Sequence, residues 1–400
     1  MKILQVCNRV PYPARDGGTL AMNNLAEALI NQGHQVKMAA LNTRKHYIGK
    51  DSIPEEYRRK TNIQTFDIDT SVNPADALLY LFKKGSYNIG RFYSPGFEQM
   101  LVSILEKEDF DIVQLESLFV VPYIPSIRRY SKAKIVLRSH NVEYRLWEQK
   151  ALAETSFFRK LYLCHLEKRI RQYEVENLNR YDAIVAITAE DAETFRSLGC
   201  RKPLHITPFG IDTREYSFPG ETPKSPASIC FIGSFDWQPN LDGIYWFLEH
   251  CWPSLSRDLP DLKLRIAGKN MPASLENLQV KNVEIRGEVK SSPEFISENT
   301  LMIVPLFAGS GMRIKIIEGM ALGKPIVSTS LGAEGIHCTP GKDILLADTP
   351  EQFSNLIQKC ILEEDLADIG KNARKLVESE YDNTALASSL IGFYKNLIAE

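Results

Sequence analysis

The sequence predicts an α/β fold with two doubly wound parallel sheets, and two observations carry that prediction. Short apolar runs such as "KILQVCN" and "DIVQL" alternate with helical stretches, which is typical of strands in a parallel sheet. The pattern begins again at "ASICFIG", at the end of the Pro- and Gly-rich segment "TPFGIDTREYSFPGETPKSPAS". We therefore predict two Rossmann-like domains, residues 1–205 and 206–380, that face a central cleft. Ligands of such sheets bind at the carboxyl ends of the strands, so the loops that follow strands are the candidates for a site.

Charge and cysteine content narrow the class of protein. The net charge is -2, but residues 1–205 carry 30 Lys and Arg against 24 Asp and Glu. This mild basic bias fits a phosphate-bearing substrate or an anionic membrane surface, and it is too diffuse for a nucleic-acid patch. The seven cysteines are scattered without a C-x-x-C pair, which indicates reduced thiols. We expect a cytoplasmic protein, with contact to the inner face of the cell membrane as an open alternative.

The stretch "FAGSGMRIKIIEGMALG" follows the apolar run "LMIVPL" and predicts a small-residue loop that leads into a helix. Arg313 and Lys315 fall in the first turn of that helix, where the helix dipole disfavours cations. A bound anion such as a diphosphate would explain them, and Glu318 one turn later suits sugar hydroxyls. The alternative is a flexible loop with a Lys315–Glu318 surface pair. The loop amides that would bind the anion are those of Gly309, Ser310, Gly311 and Met312.

The first half offers weaker candidates at its own strand ends. Gly17 and Gly18 precede a helix and allow a ligand to approach the backbone, although they also suit a plain turn. His140 follows the run "KIVLRS" and can bind a hydroxyl or phosphate oxygen, although a lone histidine is more often structural. Glu116 ends "DIVQLE" on what we expect to be the acceptor side. The G-x-G-x-x-G pattern of a dehydrogenase is missing from the first turn.

A metal site is not expected. The pairs Asp67/Asp69 and Asp109/Asp111 have the spacing of a divalent-metal motif, but the second opens a strand and the first lacks further ligands nearby. The sequence has no P-loop and no zinc spacing. We predict neither a metal nor a cofactor.

Residues 145–180 form a long basic stretch that predicts a helix. Aromatic and aliphatic residues stand beside cations there, which is typical of a helix that lies on an anionic membrane. The alternative is a solvated helix that packs on one face. The residues concerned are Phe157, Phe158, Leu161 and Tyr162, with Arg159 and Lys160 among them.

Four segments together resemble the family 4 glycosyltransferases with the GT-B fold. They are "DGGTLAMNNLAEALINQGHQV", "TPFGIDTREY", "ICFIGSFDWQPNLDGIYWFLEHCWP" and "VPLFAGSGMRIKIIEGMALGKPIVST". The resemblance implies transfer of a sugar from a nucleotide-diphosphate donor, with retention at the anomeric carbon and without a metal. It implies a donor bound mostly by the second half and an acceptor on the first. It also implies that residues 381–400 form a last helix that crosses back onto the first domain.

The resemblance assigns roles to some residues and exposes two departures. Glu318 matches the second glutamate of an E-x7-E motif, expected on the donor ribose, but Ser310 stands where the first glutamate should be. His140 matches a histidine expected near the donor sugar and phosphate, and Gly18 matches the glycine loop over the diphosphate. Ser234 stands where many members carry an arginine that binds the diphosphate.

The resulting hypothesis is a retaining glycosyltransferase in which Arg313, Lys315 and His140 are the catalytic groups. Arg313 and Lys315 replace the missing diphosphate contacts and stabilise the leaving group. The acceptor is a growing surface glycan or a lipid-linked one. Two alternatives stay open, a nucleotide-sugar epimerase on the same fold and a catalytically silent subunit that binds nucleotide sugars.

Overall fold

The computed structural model describes residues 1–14, 17–73, 85–218, 227–309, 311–362 and 367–399. It divides into two compact units. One unit contains Met1–Gly210 together with Asn383–Glu400, and the other contains Ile211–Asp382.

Within the described residues, the first unit is built on a sheet of seven parallel strands in the order β3-β2-β1-β4-β5-β6-β7. The central strands are apolar on both faces because helices cover both sides of a doubly wound sheet. The strands are β1 Lys2–Cys7, β2 Gln35–Thr43, β3 Gln64–Ile68, β4 Ile112–Glu116, β5 Lys134–Ser139, β6 Ala183–Ala186 and β7 Leu204–Ile206.

Eight of the described helices of the first unit lie between these strands in the chain. They are α1 Gly17–Asn31, α2 Glu55–Thr61, α3 Tyr87–Gly90, α4 Pro95–Lys107, α5 Ile124–Tyr130, α6 Glu143–Ala153, α7 Phe157–Asn177 and α8 Ala189–Ser197. Short 3₁₀ turns are found at Arg44–His46, Lys50–Ser52 and Leu118–Tyr123.

The predicted single helix over residues 145–180 is wrong, because the structure has two helices there. The chain is extended at Glu154 and Ser156, which separates α6 from α7. The carboxylate of Glu174 on α7 accepts hydrogen bonds from the amides of Glu143 at 3.1 Å and Tyr144 at 3.3 Å. These bonds cap the start of α6, so the two helices form a hairpin.

The second unit repeats the architecture. Among its described residues, six parallel strands form a sheet in the order β10-β9-β8-β11-β12-β13. The strands are β8 Ser228–Ile232, β9 Lys263–Ala267, β10 Val283–Gly287, β11 Leu301–Val304, β12 Ile326–Ser328 and β13 Leu345–Leu346. The helices are α9 Gln238–His250, α10 Trp252–Asp258, α11 Ala273–Glu276, α12 Ser292–Ser297, α13 Ile314–Ala321, α14 Pro350–Leu362 and α15 Ala367–Glu380, with a 3₁₀ turn at Thr213–Glu215.

Helix α9 begins at Gln238, inside the segment "SFDWQPNLDG" that follows β8. Pro239 lies in the first turn of α9, where proline is favoured because its fixed φ suits a helix and its missing N–H has no partner to lose.

The last helix, α16 Asn383–Ala399, packs within the first unit. Its buried residues join the core beneath β1 and α1, and they are Ala387, Leu390, Ile391, Tyr394 and Leu397. Among the helices that the structure describes, none has both the length and the apolar character needed to cross a bilayer.

Candidate functional site

The glycine loop of the second unit connects β11 to α13. Gly309 and Gly311 adopt φ angles of +99° and +84°, a region that residues with a Cβ rarely adopt. Helix α13 begins at Ile314, so Arg313 is its N-cap residue and Lys315 lies in its first turn. The expectation that both cations lie inside the first turn is therefore wrong by one residue for Arg313. Ser310 lies outside the described residues.

The Lys315 amine reaches the carboxyl end of β8. Its Nζ donates to the carbonyl oxygen of Ile232 at 3.2 Å and to Asn240 Oδ1 at 2.7 Å, and it lies 4.6 Å from the centre of the Phe231 ring. Both hydrogen-bond acceptors are uncharged. Burial, followed by the nearby charge of Arg313, lowers the pKa of Lys315 to about 7.

The Arg313 side chain is buried against Trp237. Its guanidinium lies 5.1 Å from the centre of the indole ring, and its Nη1 donates to the carbonyl oxygen of Gly311. Burial lowers the pKa of Arg313, and the charge of Glu334 opposes that effect. A Cβ on Gly309 would lie 2.5 Å from the same indole ring, so the loop packs directly on Trp237.

The loop after β8 is held close to the Lys315 amine. Asn240 on α9 donates to the carbonyl oxygen of Ser234 at 2.8 Å, while its own Oδ1 accepts from Lys315. The Ser234 hydroxyl donates to Asp236. A Cβ on Gly268 would lie 1.7 Å from the carbonyl oxygen of Gly233, so the neighbouring turns leave no room for a side chain there. The structure thus brings Ser234, Arg313 and Lys315 together.

Glu318 is partly buried one turn along α13. The hydroxyl of Tyr216 donates to its Oε1 at 3.0 Å, and burial raises the pKa of Glu318 although this hydrogen bond lowers it. In the described part of the chain, Lys315 and Glu318 form no ion pair with each other. The surface pair considered as an alternative from the sequence is therefore wrong.

In the first unit, His140 is bonded to Glu116. His140 Nε2 lies 2.7 Å from Glu116 Oε2, and Nη1 of Arg138 donates to the same oxygen at 3.4 Å. Glu116 and Arg138 are fully buried, and Glu116 is the last residue of β4, at the strand end that the sequence predicts. Its carboxylate faces inward because β4 is a central strand with both faces covered.

The protonation of this cluster follows from its contacts. Burial raises the pKa of Glu116, but Arg138 and the hydrogen bonds from His140 and Gln114 outweigh it and hold that pKa below its usual range. Burial also lowers the pKa of His140, against the opposing effect of Glu116. At neutral pH the carboxylate is therefore ionised and the imidazole is neutral.

Gly17 and Gly18 are the first residues of α1. The Arg138 guanidinium donates to the carbonyl oxygen of Ala21 at 3.1 Å, one turn further along the same helix. The structure therefore places the paired glycines and His140 in one region of the first unit, linked by Arg138.

Four side chains that complete these clusters were given no role by the sequence. Asn240 and Tyr216 contact residues 75 and 102 positions away, and no local pattern signals such contacts. Pro239, one residue past the start of α9, was the available signal that Trp237 and Asn240 flank a helix start. Arg138 lies in β5, and a charged residue inside an apolar strand indicates a buried partner. Among the described residues, no group of three or more His, Cys, Asp or Glu side chains could hold a metal ion.

Two family models match the chain. "Glycosyltransferase Family 4" matches residues 15–215, and "Glycosyl transferases group 1" matches residues 226–363. An uncharacterized 44.6 kDa protein in the cps region of Klebsiella pneumoniae is 26% identical over 407 residues, which covers 97% of this chain and 98% of that protein.

Solved structures share the fold at low sequence identity. Sucrose-phosphate synthase from Thermosynechococcus elongatus has a TM-score of 0.71 at 16% identity and is covered completely, as is this chain. Anabaena HepE in complex with UDP and glucose has a TM-score of 0.66 at 12% identity, over 99% of this chain and 100% of that one. These similarities and the two parallel sheets confirm the predicted GT-B fold class.

Proposed function

Because the chain belongs to glycosyltransferase family 4, we propose that it transfers a sugar from a nucleotide-diphosphate donor, with retention at the anomeric carbon and without a metal ion. The second unit would bind the donor, and the first would supply His140 and the acceptor side. The acceptor would be a growing glycan or a lipid-linked one. The relative in a cps region of Klebsiella pneumoniae supports a role in cell-surface polysaccharide synthesis.

The pairing of Lys315 with Arg313 at the glycine loop is the observation that carries this proposal. A buried amine whose hydrogen-bond acceptors are uncharged retains an unbalanced positive charge whenever it is protonated. A diphosphate on the loop amides would supply the balancing negative charge. It would also become more negative as the sugar–oxygen bond breaks, so the two cations would stabilise the transition state more than the ground state.

Glu318 would bind the donor ribose. Its carboxylate accepts from Tyr216 through Oε1, which fixes the side chain and leaves the other oxygen for a sugar hydroxyl. His140 would assist by accepting a hydrogen bond from a hydroxyl of the transferred sugar, since its imidazole is neutral. Gly17 and Gly18 would let the backbone approach the diphosphate.

The first experiment is a thermal-shift panel of UDP, GDP, ADP and TDP and their sugars, in EDTA. We expect one base to stabilise the protein, since a ligand at 100 times its dissociation constant adds about 2.7 kcal/mol. Donor-only incubation tests the epimerase alternative, because an epimerase converts the donor sugar without any acceptor. No stabilisation by any nucleotide would refute the donor site, and binding without transfer to any glycan or lipid-linked acceptor would favour the silent subunit.

We further propose that the α6–α7 hairpin contacts an anionic membrane. Phe157, Phe158 and Leu161 are 74%, 81% and 63% exposed, and Leu152 at the end of α6 is 71% exposed. Exposed apolar side chains in such a cluster mark an interaction surface. Arg159 and Lys160, both exposed, lie on the same turn of α7, and this combination of apolar side chains and cations suits anionic lipids.

Vesicle sedimentation tests this contact. The wild-type chain should pellet with phosphatidylcholine vesicles that contain phosphatidylglycerol and much less with phosphatidylcholine alone. Phe157→Ser with Phe158→Ser should abolish pelleting, whereas Leu362→Ser should not, because Leu362 is equally exposed at 69% but lies in the second unit. Equal pelleting of both variants would exclude the hairpin as the contact, and dimerisation lost in the phenylalanine variant would assign the surface to a second copy.

A further inference from the structure

A chain of hydrogen bonds connects the last helix of the protein to His140. The Tyr394 hydroxyl on α16 donates to Gln114 Oε1, and Gln114 Nε2 donates to Glu116 Oε1. Glu116 Oε2 is bonded to His140 Nε2 at 2.7 Å. Tyr394, Gln114 and Glu116 are all 0% exposed, so water does not compete for these bonds.

The first bond in this chain helps to hold the Gln114 amide in its orientation. An amide presents an acceptor on one side and donors on the other. Glu116 is ionised and can only accept, so Gln114 must turn its nitrogen toward Glu116 and its oxygen toward Tyr394. The tyrosine hydroxyl is the donor that satisfies this oxygen. Without it, the buried oxygen would lose its partner, and the amide would have less to hold it in the orientation that Glu116 needs.

The last bond decides which nitrogen of His140 carries the proton. An ionised carboxylate accepts from Nε2, so the neutral ring is protonated at Nε2 and its Nδ1 is left as an acceptor. Glu116 keeps this role because all its donors are fixed. In addition to Gln114 and His140, two side chains donate to Glu116. They are Gln5, whose Nε2 lies 3.2 Å from Glu116 Oε1, and Arg138.

We propose that Tyr394 and Gln114 are positioning residues that fix the Nε2-protonated form of His140, so that the last helix takes part in setting the chemistry of the first unit. The inference rests on the proposed function only in one respect, namely that sugar transfer uses His140. The protonation of the ring itself is measurable without substrate.

The test compares Tyr394→Phe with Tyr123→Phe. Tyr123 is a matched control because it is also buried in the first unit. Its hydroxyl donates to the carbonyl oxygen of Phe92 at 2.7 Å, which is not part of the hydrogen-bond chain to His140. Nitrogen-15 NMR of labelled histidine reports the protonated nitrogen, and His140→Gln identifies the signal among the seven histidines. We expect wild type and Tyr123→Phe to show the Nε2-protonated form and Tyr394→Phe to show a mixture. The pKa of His140 should rise in Tyr394→Phe, because Gln114 then donates less firmly to Glu116, which becomes a stronger partner for the imidazolium.

A second variant, Gln114→Met, removes the middle of the chain. We expect it to give the same mixture, and the double variant with Tyr394→Phe to be no worse than Gln114→Met alone, because both changes break one connection. A His140 signal in folded Tyr394→Phe that matches wild type would overturn the proposal. An altered signal with unchanged turnover of the nucleotide sugar would support the positioning role and refute the part that His140 plays in the proposed transfer.

Discussion

Replacing Lys315 with methionine should stabilise the ligand-free protein while it removes donor binding. The usual lysine pKa of 10.5 falls to about 7 at this site, mainly because of burial. Each unit of that difference corresponds to about 1.4 kcal/mol, so burying the charged amine costs up to about 5 kcal/mol. Methionine avoids this cost and keeps a contact with the Phe231 ring, but it gives up two hydrogen bonds worth about 1 kcal/mol each. The net expectation is a gain of about 1–3 kcal/mol.

The sign of the pH dependence follows from the lowered pKa. Below pH 7 the amine is charged in both the folded and the unfolded chain, so the full cost of burial is present. Between pH 7 and 10.5 the folded chain prefers the neutral amine, so the cost falls by about 1.4 kcal/mol per pH unit and is lost above pH 10.5. The stability gain of Lys315→Met should therefore be largest near pH 6 and small near pH 9.

Denaturant unfolding at pH 6 and pH 9, with and without the preferred nucleotide, measures both effects. Lys324→Met is the matched control, because Lys324 is also buried and also donates to two uncharged oxygens, here the backbone carbonyls of Ser297 at 2.8 Å and Asn299 at 2.6 Å. Its pKa is lowered to about 8, but it lies past the other end of α13 from the glycine loop. The control should keep the stabilisation by nucleotide. If Lys315→Met is less stable than wild type at pH 6, or still gains the wild-type stabilisation from nucleotide, the reasoning is refuted.

Three further predictions concern the same site. Tyr216→Phe should weaken nucleotide binding about 5- to 10-fold, measured by calorimetry, because Glu318 loses its fixed orientation. Inorganic diphosphate should bind as before. Equal losses for both ligands would show that Glu318 does not contact the ribose. Gly309→Ala should abolish nucleotide binding because its Cβ would lie 2.5 Å from an indole ring, whereas Gly341→Ala, with a φ of +78° and open space, should lower only stability. Above pH 7 nucleotide affinity should fall up to tenfold per pH unit, since the anion binds the protonated Lys315; a flat profile would contradict this.

The fold was predictable because its signal is local. Each half repeats short apolar runs separated by helical stretches, and in the structure those runs are the strands of two parallel sheets. The break between α6 and α7 was missed because Glu154–Ser156 contains neither Gly nor Pro, and the helical pattern continues on both sides. Ser156 directly before Phe157 was the available sign of a helix start.

The site was predictable only where its residues are neighbours in the chain. Arg313, Lys315 and Glu318 come from one loop and helix, so their spacing alone brings them together. Asn240 and Tyr216 come from other elements, and only the folded sheet places them beside Lys315 and Glu318. The same limit applies to Glu116, whose complete burial the sequence did not predict. The sequence indicates that Glu116 ends a strand, but it does not indicate which other elements cover that strand.

The proposed donor site lacks a basic residue directly after β8, and the position of Lys315 gives a physical basis for that part of the proposal. An electrostatic interaction depends on where a charge lies in space, and the element that supplies the charge is immaterial. The Lys315 amine lies 3.2 Å from the last carbonyl oxygen of β8, although its backbone belongs to the helix after β11. These two strands are adjacent in the sheet, so their carboxyl ends open onto the same edge. The Lys315 side chain extends from α13 to the end of β8, where its amine also donates to Asn240 on α9. In the proposed donor site the charge expected on the β8 loop is therefore supplied from α13, and Ser234 needs only to leave room for it.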